Sequence, residues 1–324
     1  MEYNQYNQET EPLLNKNDYF LDINDVFEKE KKDKEKSKNQ IIPRTCSPSN
    51  FFEFLFFCCI DYDLTNKQYE LYIRLKDNIS ILYNKDDIKH EKLLQDFFDN
   101  IKDLLPEDDK DEYQIINDSN NNMSSTINTE INDNNLIKKL SKKVGFQNDN
   151  PRTDFRAAGL YSLEFMNYFA TYHKIELKKI LKDKYFYFAL TSINLSFYIR
   201  LILYLTNIQD FQATLKSNNL EIFSRRQIKH FAEHLEKENT NNDLLYLIIS
   251  HCLCFVFKKY SNEFEDCKKE ENYLKINSII RLALNCLGET LNNIHKNQNL
   301  GDELKQRLDK ILLHENRNIK LKIN

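Results

Sequence analysis

The stretch VGFQNDNPRTDFRAAGLYSLEFMNYFATY, residues 144–172, decides the fold because it opens the long helical second half of the chain. It contains Gly145 and Gly159, two of only 4 glycines in the whole sequence. Such a concentration indicates a local demand on the backbone, either a left-handed conformation or a close approach. Pro151 ends the preceding turn, and Thr153 is predicted to cap the helix that follows.

That helix is predicted to run from Phe155 to His173 on the spacing of its apolar residues. Asp154, just before it, suits the positive end of the helix dipole. The apolar stripe expected to face the core has helical spacing: Phe155, Gly159, Leu163, Met166 and Ala170. Within this stripe, Gly159 is expected to permit a close helix crossing.

Arg156 breaks the pattern of the predicted helix. A guanidinium in the first turn faces the positive end of the helix dipole, which is unfavourable by about 0.3–1 kcal/mol. Local rules of this kind are often broken at functional sites. The residues leave two interpretations open: a functional arginine, or a salt bridge from Arg156 to Asp154 or to a buried carboxylate.

The composition of the rest of the chain favours helices. The 324 residues include 4 Gly and 5 Pro, and no proline follows Pro151. Turn-rich folds need more of both residue types, and glycine-rich phosphate-binding loops need closely spaced glycines that this sequence does not have. The sequence therefore predicts an all-α fold, a single multi-helix bundle. Segments 188–205 and 244–260 are apolar nearly all round, so we expect central helices there, and neither segment is convincing as a membrane span.

Apolar periodicity divides the chain into five parts. Regions without it are predicted to be disordered, and regions with helical spacing are predicted to be helices. The parts are a disordered tail (1–50), an apolar segment with a helical hairpin (51–106), a disordered insert (107–135), a helical core (136–296) and a charged C-terminal helix (297–324).

The apolar segment FFEFLFFCCI, Phe51–Ile60, is too short to span a bilayer, which takes roughly 20 apolar residues. One interpretation is a core segment packed against the helices that follow. The other is a peripheral membrane contact through Phe51 to Cys59, with palmitate on Cys58 and Cys59.

The charge balance and the cysteines limit the function classes. Lys and Arg number 46 against 50 Asp and Glu, for a net charge of -4, so no nucleic-acid partner is expected. The 7 cysteines are irregularly spaced and the N-terminus is polar and acidic. These features predict a reduced, cytoplasmic protein, peripheral on membranes if residues 51–59 contact them.

Two short motifs suggest metal chemistry but lack a complete ligand set. His230, Glu233 and His234 fit the H-x-x-E-H zinc-protease pattern, yet no distant residue offers an obvious third ligand. Cys252 and Cys254 have the wrong spacing for a zinc knuckle. We therefore expect a partly exposed helix face at the first motif, core residues at the second, and no bound metal.

The stretch that opens this section resembles the ELMO domain (engulfment and cell motility) family, of the short ELMO-domain-containing type. The family signature reads approximately W-x3-G-F-Q-x3-P-x-T-D-F-R-G-x-G-x3-L-x2-L-x-Y-F. The positions that match it in register are Gly145, Phe146, Gln147, Pro151, Thr153, Asp154, Phe155, Arg156, Gly159, Leu163, Met166, Tyr168 and Phe169. A second block, Tyr185 to Ser196, looks like Y-P-F-A-V-x-G-I-N-I-T. The resemblance covers about residues 66 to 294.

Three positions depart from the family pattern. Ser141 stands where the family has Trp, Ala157 replaces the Gly after the arginine, and Tyr187 replaces a Pro of the second block. The fold is expected to survive these changes. Ala157 would tighten the approach of a partner's backbone to Arg156.

The resemblance implies a GTPase-activating protein for the GTP form of an Arf or Arf-like small GTPase. Arg156 would be the arginine finger supplied in trans, so the chain has no self-contained active site. Gln147 and Asp154 would contact the GTPase or orient the arginine. Residues implied to be structural are Gly145, Phe146, Pro151, Thr153, Phe155 and Gly159. Because the GTPase brings nucleotide and Mg²⁺, no cofactor is expected.

A second function class is also implied by the resemblance. Long members of the family are non-catalytic adaptors or scaffolds in small-GTPase signalling of the Rac and Dock type, or act in membrane trafficking. They carry additional domains and generally do not keep the arginine. This chain keeps Arg156, which favours the activator over the adaptor.

Overall fold

A computed structural model describes residues 64–102, 104–105, 137–156, 158–206, 211–238, 243–264 and 273–323. The described residues all fall within one contact unit, Ile42–Asn324. The predicted tail 1–50, the apolar segment Phe51–Ile60, the insert 107–135 and Ala157 lie outside the described ranges. Disorder of the tail and insert, and the membrane contact, therefore stay predictions.

Every regular element within these ranges is a helix, which confirms the all-α fold. The α-helices in chain order are α1 (Asn66–Ile79), α2 (Ile88–Lys102), α3 (residues 137–144), α4 (Gly159–Tyr172), α5 (Lys174–Lys182), α6 (Phe188–Ile202), α7 (Gln212–Ser217), α8 (Arg225–Glu238), α9 (Asp243–Phe264), α10 (Tyr273–Asn293) and α11 (Leu300–Ile323). A 3-10 helix, Pro151–Arg156, lies between α3 and α4.

The centre of the bundle is formed by α6 and α9, as their all-round apolar composition predicts. Every residue of α6 except Leu190 is buried. Helix α9 packs against α4, α6, α10 and α11. In the part of the chain that the structure describes, α9 is also the one helix long and apolar enough to cross a membrane. Its apolar window is 67% buried inside the protein, as in the core helix of a bundle.

The first helix is tied to the bundle at its start and in its middle. Thr65 and Gln68 form a capping box at its N-terminus, each side chain bonding the other residue's backbone N–H. One turn later, the buried Tyr72 hydroxyl donates to the carbonyl of Leu203, just after α6, at 2.6 Å. Helices α1 and α2 follow each other as predicted, but α1 packs mainly on α8 and α2 mainly on α4.

Candidate functional site

The loop that follows α3 owes its shape to Gly145. The N–H groups of Gly145 and Phe146 both donate to the Ser141 carbonyl and close the helix. Gly145 has a φ of +85°, and a Cβ at this position would lie 2.5 Å from the Cα of Tyr187. The predicted backbone demand at this glycine is therefore both a left-handed conformation and a close approach.

An aromatic cluster fixes the two ends of this loop. Phe146 and Phe155 are buried, and their rings meet edge to face at 5.8 Å between centroids. Phe146 also contacts the rings of Phe97 and Phe98 on α2. The ring of Tyr83 lies 5.2 Å from that of Phe155. Through their burial and ring contacts, the two residues hold the turn between them.

We call residues 145–156 the Arg156 turn. Asp154 closes it from inside, because its carboxylate accepts the backbone N–H of Gln147 at 2.6 Å and the side-chain amide of Asn148 at 3.0 Å. Burial raises the pKa of Asp154 above its ordinary value, although these two hydrogen bonds act in the opposite direction. Asp154 thus holds the backbone of the turn, while the side chain of Gln147 is exposed.

The predicted cap at Thr153 is wrong. The helix begins at Gly159 and not at Phe155, and residue Ala158 before it makes no side-chain cap bond. Thr153 lies inside the 3-10 helix, where its hydroxyl donates to the Asn150 carbonyl at 2.9 Å. Pro151 starts the 3-10 helix and is buried.

Arg156 ends the 3-10 helix and is exposed. Its Nε donates to the carbonyl of Thr153 at 2.7 Å. Within the described part of the chain its guanidinium makes no ion pair, and the Asp154 carboxylate is engaged with the loop backbone instead. The predicted position of Arg156 in the first turn of a helix is wrong, because Arg156 lies three residues before α4 begins. What distinguishes Arg156 is an exposed cation whose side chain is held by a hydrogen bond to the backbone of the turn.

Gly159 sets the direction of α4, not a helix crossing as predicted. Its φ is +69°, and a Cβ there would lie 2.6 Å from the backbone oxygen of Ile81. The next residue, Leu160, donates its N–H to the same oxygen at 2.9 Å. The loop after α1 therefore lies directly against the start of α4, and a larger residue at 159 would separate them.

Two arginines that support the turn were not identified from the sequence. Arg200 on α6 is buried and donates to the Ala158 carbonyl at 3.1 Å. Arg152 forms a bidentate contact with Glu91 on α2: its Nε donates to Oε1 at 2.8 Å and its Nη2 donates to Oε2 at 2.6 Å. The Tyr83 hydroxyl donates to the same carboxylate at 2.5 Å. Arg152 falls on a variable position of the family signature and offers no signal of its own, and Arg200 stands out only as a charge inside an apolar helix.

The two metal-like motifs lie elsewhere in the bundle. No group of three or more His, Cys, Asp or Glu in the described ranges is placed to hold a metal ion. The Nδ1 of His230 lies 2.5 Å from the Leu291 carbonyl on α10. Cys252 is fully buried, and burial raises the pKa of the half-buried Cys254 to about 12. Cys252 is thus a core residue as expected, whereas Cys254 lies at the edge of the core.

Comparison with known proteins agrees with the resemblance. The model of the ELMO/CED-12 family matches residues 73–280, which include the end of α1, α2, the Arg156 turn, the helices through α9 and the start of α10. No curated protein and no solved structure matched the chain. Since the family match spans more than half of the 324 residues, the chain belongs to the ELMO/CED-12 family, whose proteins function in small-GTPase signalling.

Proposed function

We propose that this protein is a GTPase-activating protein for the GTP form of an Arf or Arf-like GTPase, and that Arg156 is the arginine it supplies. The observation that carries the proposal is the exposure of the Arg156 guanidinium without an ion pair in the described residues. A structural arginine in this fold has a different environment, as the bidentate pair of Arg152 with Glu91 illustrates.

The chemistry required of Arg156 is electrostatic. Hydrolysis of GTP passes through a transition state whose charge is spread over the γ-phosphoryl oxygens, and an arginine inserted in trans accelerates it by about 10³ to 10⁵. The hydrogen bond from Nε to Thr153 leaves the two terminal amino groups for those oxygens. Because the side chain is already tethered, less conformational entropy is lost when the GTPase docks.

The neighbouring residues have separate roles in this proposal. Asp154 is a positioning residue, since its carboxylate holds the backbone of Gln147 and not the guanidinium. Gln147 presents an exposed side chain beside Asp154 and is proposed to contact the GTPase surface. Nucleotide, Mg²⁺ and the attacking water belong to the GTPase. We propose a cytoplasmic protein that meets this GTPase at membrane surfaces.

The test is single-turnover hydrolysis by a panel of GTP-loaded Arf and Arf-like proteins with and without the full chain. The chain should accelerate at least one member, and Arg156→Lys should abolish the acceleration, because lysine lacks the planar fork that spans two phosphate oxygens. The matched control is Arg74→Lys, which changes another exposed arginine, paired with Glu70 at 3.0 Å. It should behave as wild type.

Three results would contradict the proposal. If Arg156→Lys is folded and still accelerates hydrolysis, Arg156 is not the finger. If the same change strongly lowers the melting temperature, the arginine is structural. If the wild-type chain binds a GTPase but accelerates no member of the panel, the adaptor function replaces the activator.

A further inference from the structure

A basic cleft lies at the start of α8, beside the connection between α10 and α11. Its volume is about 730 Å³, and its charged lining includes Arg225, Arg226, Lys229, Glu233, His295 and Lys296. We call it the α8 cleft. None of these residues belongs to the Arg156 turn, so the inference below does not depend on the proposed function.

The charges of the α8 cleft are unbalanced. Glu233 is its only carboxylate among the described lining residues, and that carboxylate pairs with Lys296 at 3.5 Å. Arg226 donates to a neutral group, the Asn292 carbonyl, at 3.3 Å. Lys229 makes no ion pair within the described part of the chain. The lining therefore has a surplus of positive charge, with four Lys and Arg residues against one carboxylate.

Two of these cations, Arg225 and Arg226, lie in the first turn of α8, where the helix dipole disfavours positive charge. Ser224 caps α8 through the backbone N–H of Gln227, and the first turn contains no acidic residue. Arg225 and Arg226 thus add positive charge at the positive end of the helix dipole. A negatively charged ligand would relieve both sources of repulsion, and departures from local rules of this kind concentrate at functional sites.

A second observation comes from the adjoining cavity of about 380 Å³, which shares Glu233 and Lys296 with the α8 cleft. His234 lines it and is only 3% exposed. Its Nδ1 has no hydrogen-bond partner in the described residues. Buried polar atoms in native proteins nearly always bond to protein, water or ligand, so a water molecule or a polar ligand atom in this cavity would satisfy the nitrogen.

We propose that the α8 cleft binds a small ligand with clustered phosphate groups, such as a multiply phosphorylated inositol ring. Each phosphate monoester carries about 1.5 to 2 negative charges, so two or three of them match several cations within one cleft. Arginine binds phosphate with two parallel hydrogen bonds, and lysine acts as a point charge. A nucleic acid would need an extended basic stripe, whereas the whole chain has a net charge of -4.

The experiment measures binding of the full chain to two probes. Inositol 1,4,5-trisphosphate, titrated calorimetrically, represents a soluble ligand. Phosphatidylcholine vesicles that contain phosphatidylinositol 4,5-bisphosphate represent a lipid headgroup. Their control is vesicles in which phosphatidylserine supplies the same total charge. The variant Arg226→Gln/Lys229→Gln should weaken binding at least about tenfold, since it removes two charge-assisted contacts. Lys229→Gln alone, which should weaken binding less, replaces it if the double variant loses its melting transition.

The matched control is Lys178→Gln/Lys179→Gln, which removes the same charge from the exposed face of α5. It should bind as wild type. Binding of the trisphosphate identifies a soluble ligand, and binding only to bisphosphate vesicles identifies a lipid. The proposal is overturned if neither probe binds, if the control and cleft variants weaken equally, if phosphatidylserine vesicles bind as well, or if single-stranded RNA of matched charge binds more tightly.

Discussion

Arg152 and Arg156, four residues apart in the Arg156 turn, have different environments. Arg152 points its charge at Glu91 and joins the turn to α2, while Arg156 keeps its charge at the surface. The sequence identifies Arg156 as unusual but does so for a wrong reason, the dipole of a helix that starts three residues later. The family signature singles out Arg156, but only the three-dimensional position of Glu91, 61 residues before Arg152, shows the structural role of Arg152.

Substitution of each arginine should therefore affect stability differently. We expect Arg152→Gln to lower the free energy of unfolding by about 1–2 kcal/mol, because it breaks a bidentate, charge-assisted contact to Glu91. Arg156→Gln, the matched control, should change it by less than about 0.5 kcal/mol, as for other exposed positions. Urea denaturation of the three proteins measures both values. Equal losses would contradict this assignment.

The contribution of the Arg152–Glu91 pair should also depend on pH. Burial alone would raise the pKa of Glu91, but the hydrogen bonds from Arg152 and Tyr83 outweigh it and hold that pKa below its usual value. A carboxyl with a lowered folded-state pKa stabilises the fold above its unfolded pKa of about 4.3 and loses this effect as pH falls through the folded value. The stability difference between wild type and Arg152→Gln should accordingly be full at pH 7 and shrink below about pH 4.

Among the elements, the start of α4 depends most on one residue. Gly159→Ala would place a Cβ 2.6 Å from the Ile81 backbone oxygen at a φ of +69°. Backbone cannot move aside as a side chain can, and the left-handed conformation adds about 1–2 kcal/mol for an L-residue. We expect a loss of at least about 2 kcal/mol in thermal or urea denaturation. Under the proposed function, Gly159→Ala should also reduce GTPase activation, because α4 begins three residues after Arg156.

Gly288→Ala is the matched control for that change. Gly288 lies within α10, and a Cβ there would meet the side chains of Gln227 and Phe223 at 3.0 Å, not backbone. Its loss should be clearly smaller than that of Gly159→Ala. If the two alanine variants unfold alike, the contact between Ile81 and α4 does not determine where α4 begins.

The elements that the sequence predicts well are those with long apolar periods. Helices α6 and α9 lie within a few residues of their predicted ranges, 188–205 and 244–260. The short α7, Gln212–Ser217, has too few residues to show a period and is missed. The predicted helix from Phe155 divides into a 3-10 helix and α4, because Gly159 takes a left-handed conformation against Ile81. That contact joins residues 78 positions apart, which no local pattern reveals.

At the scale of the whole molecule, the all-α bundle and its central helices follow from composition and all-round apolar segments. The candidate site follows only in part, because the buried Phe146 and Phe155 and the proposed finger Arg156 belong to one motif, while Arg200 and Glu91 reach it from distant helices. The α8 cleft is not visible in the sequence at all. Its cations come from α8 and from the residues after α10, which only the packing of those helices brings together.

The insert 107–135 gives a prediction about how the whole bundle is held together. Excision of residues 110–132 leaves three insert residues on each side, between Leu105 after α2 and helix α3. Because the entropy of loop closure depends only on the logarithm of loop length, this change should move the free energy of unfolding by no more than about 1 kcal/mol. Helix content by circular dichroism should change little, and the melting temperature should be nearly constant or slightly higher.

A variant in which residues 110–132 are replaced by a Gly/Ser linker of equal length is the matched control, since it keeps the loop length and removes the sequence. If excision destabilises the protein and the Gly/Ser linker does not, the eight residues that remain between Leu105 and α3 are too short to connect them, and the insert is a spacer. If both variants melt well below wild type, the insert packs on the bundle, and the boundary between the helices of 51–106 and the core of 136–296 is wrong. We expect neither loss, because no stretch of the insert has an apolar face that the bundle could bury.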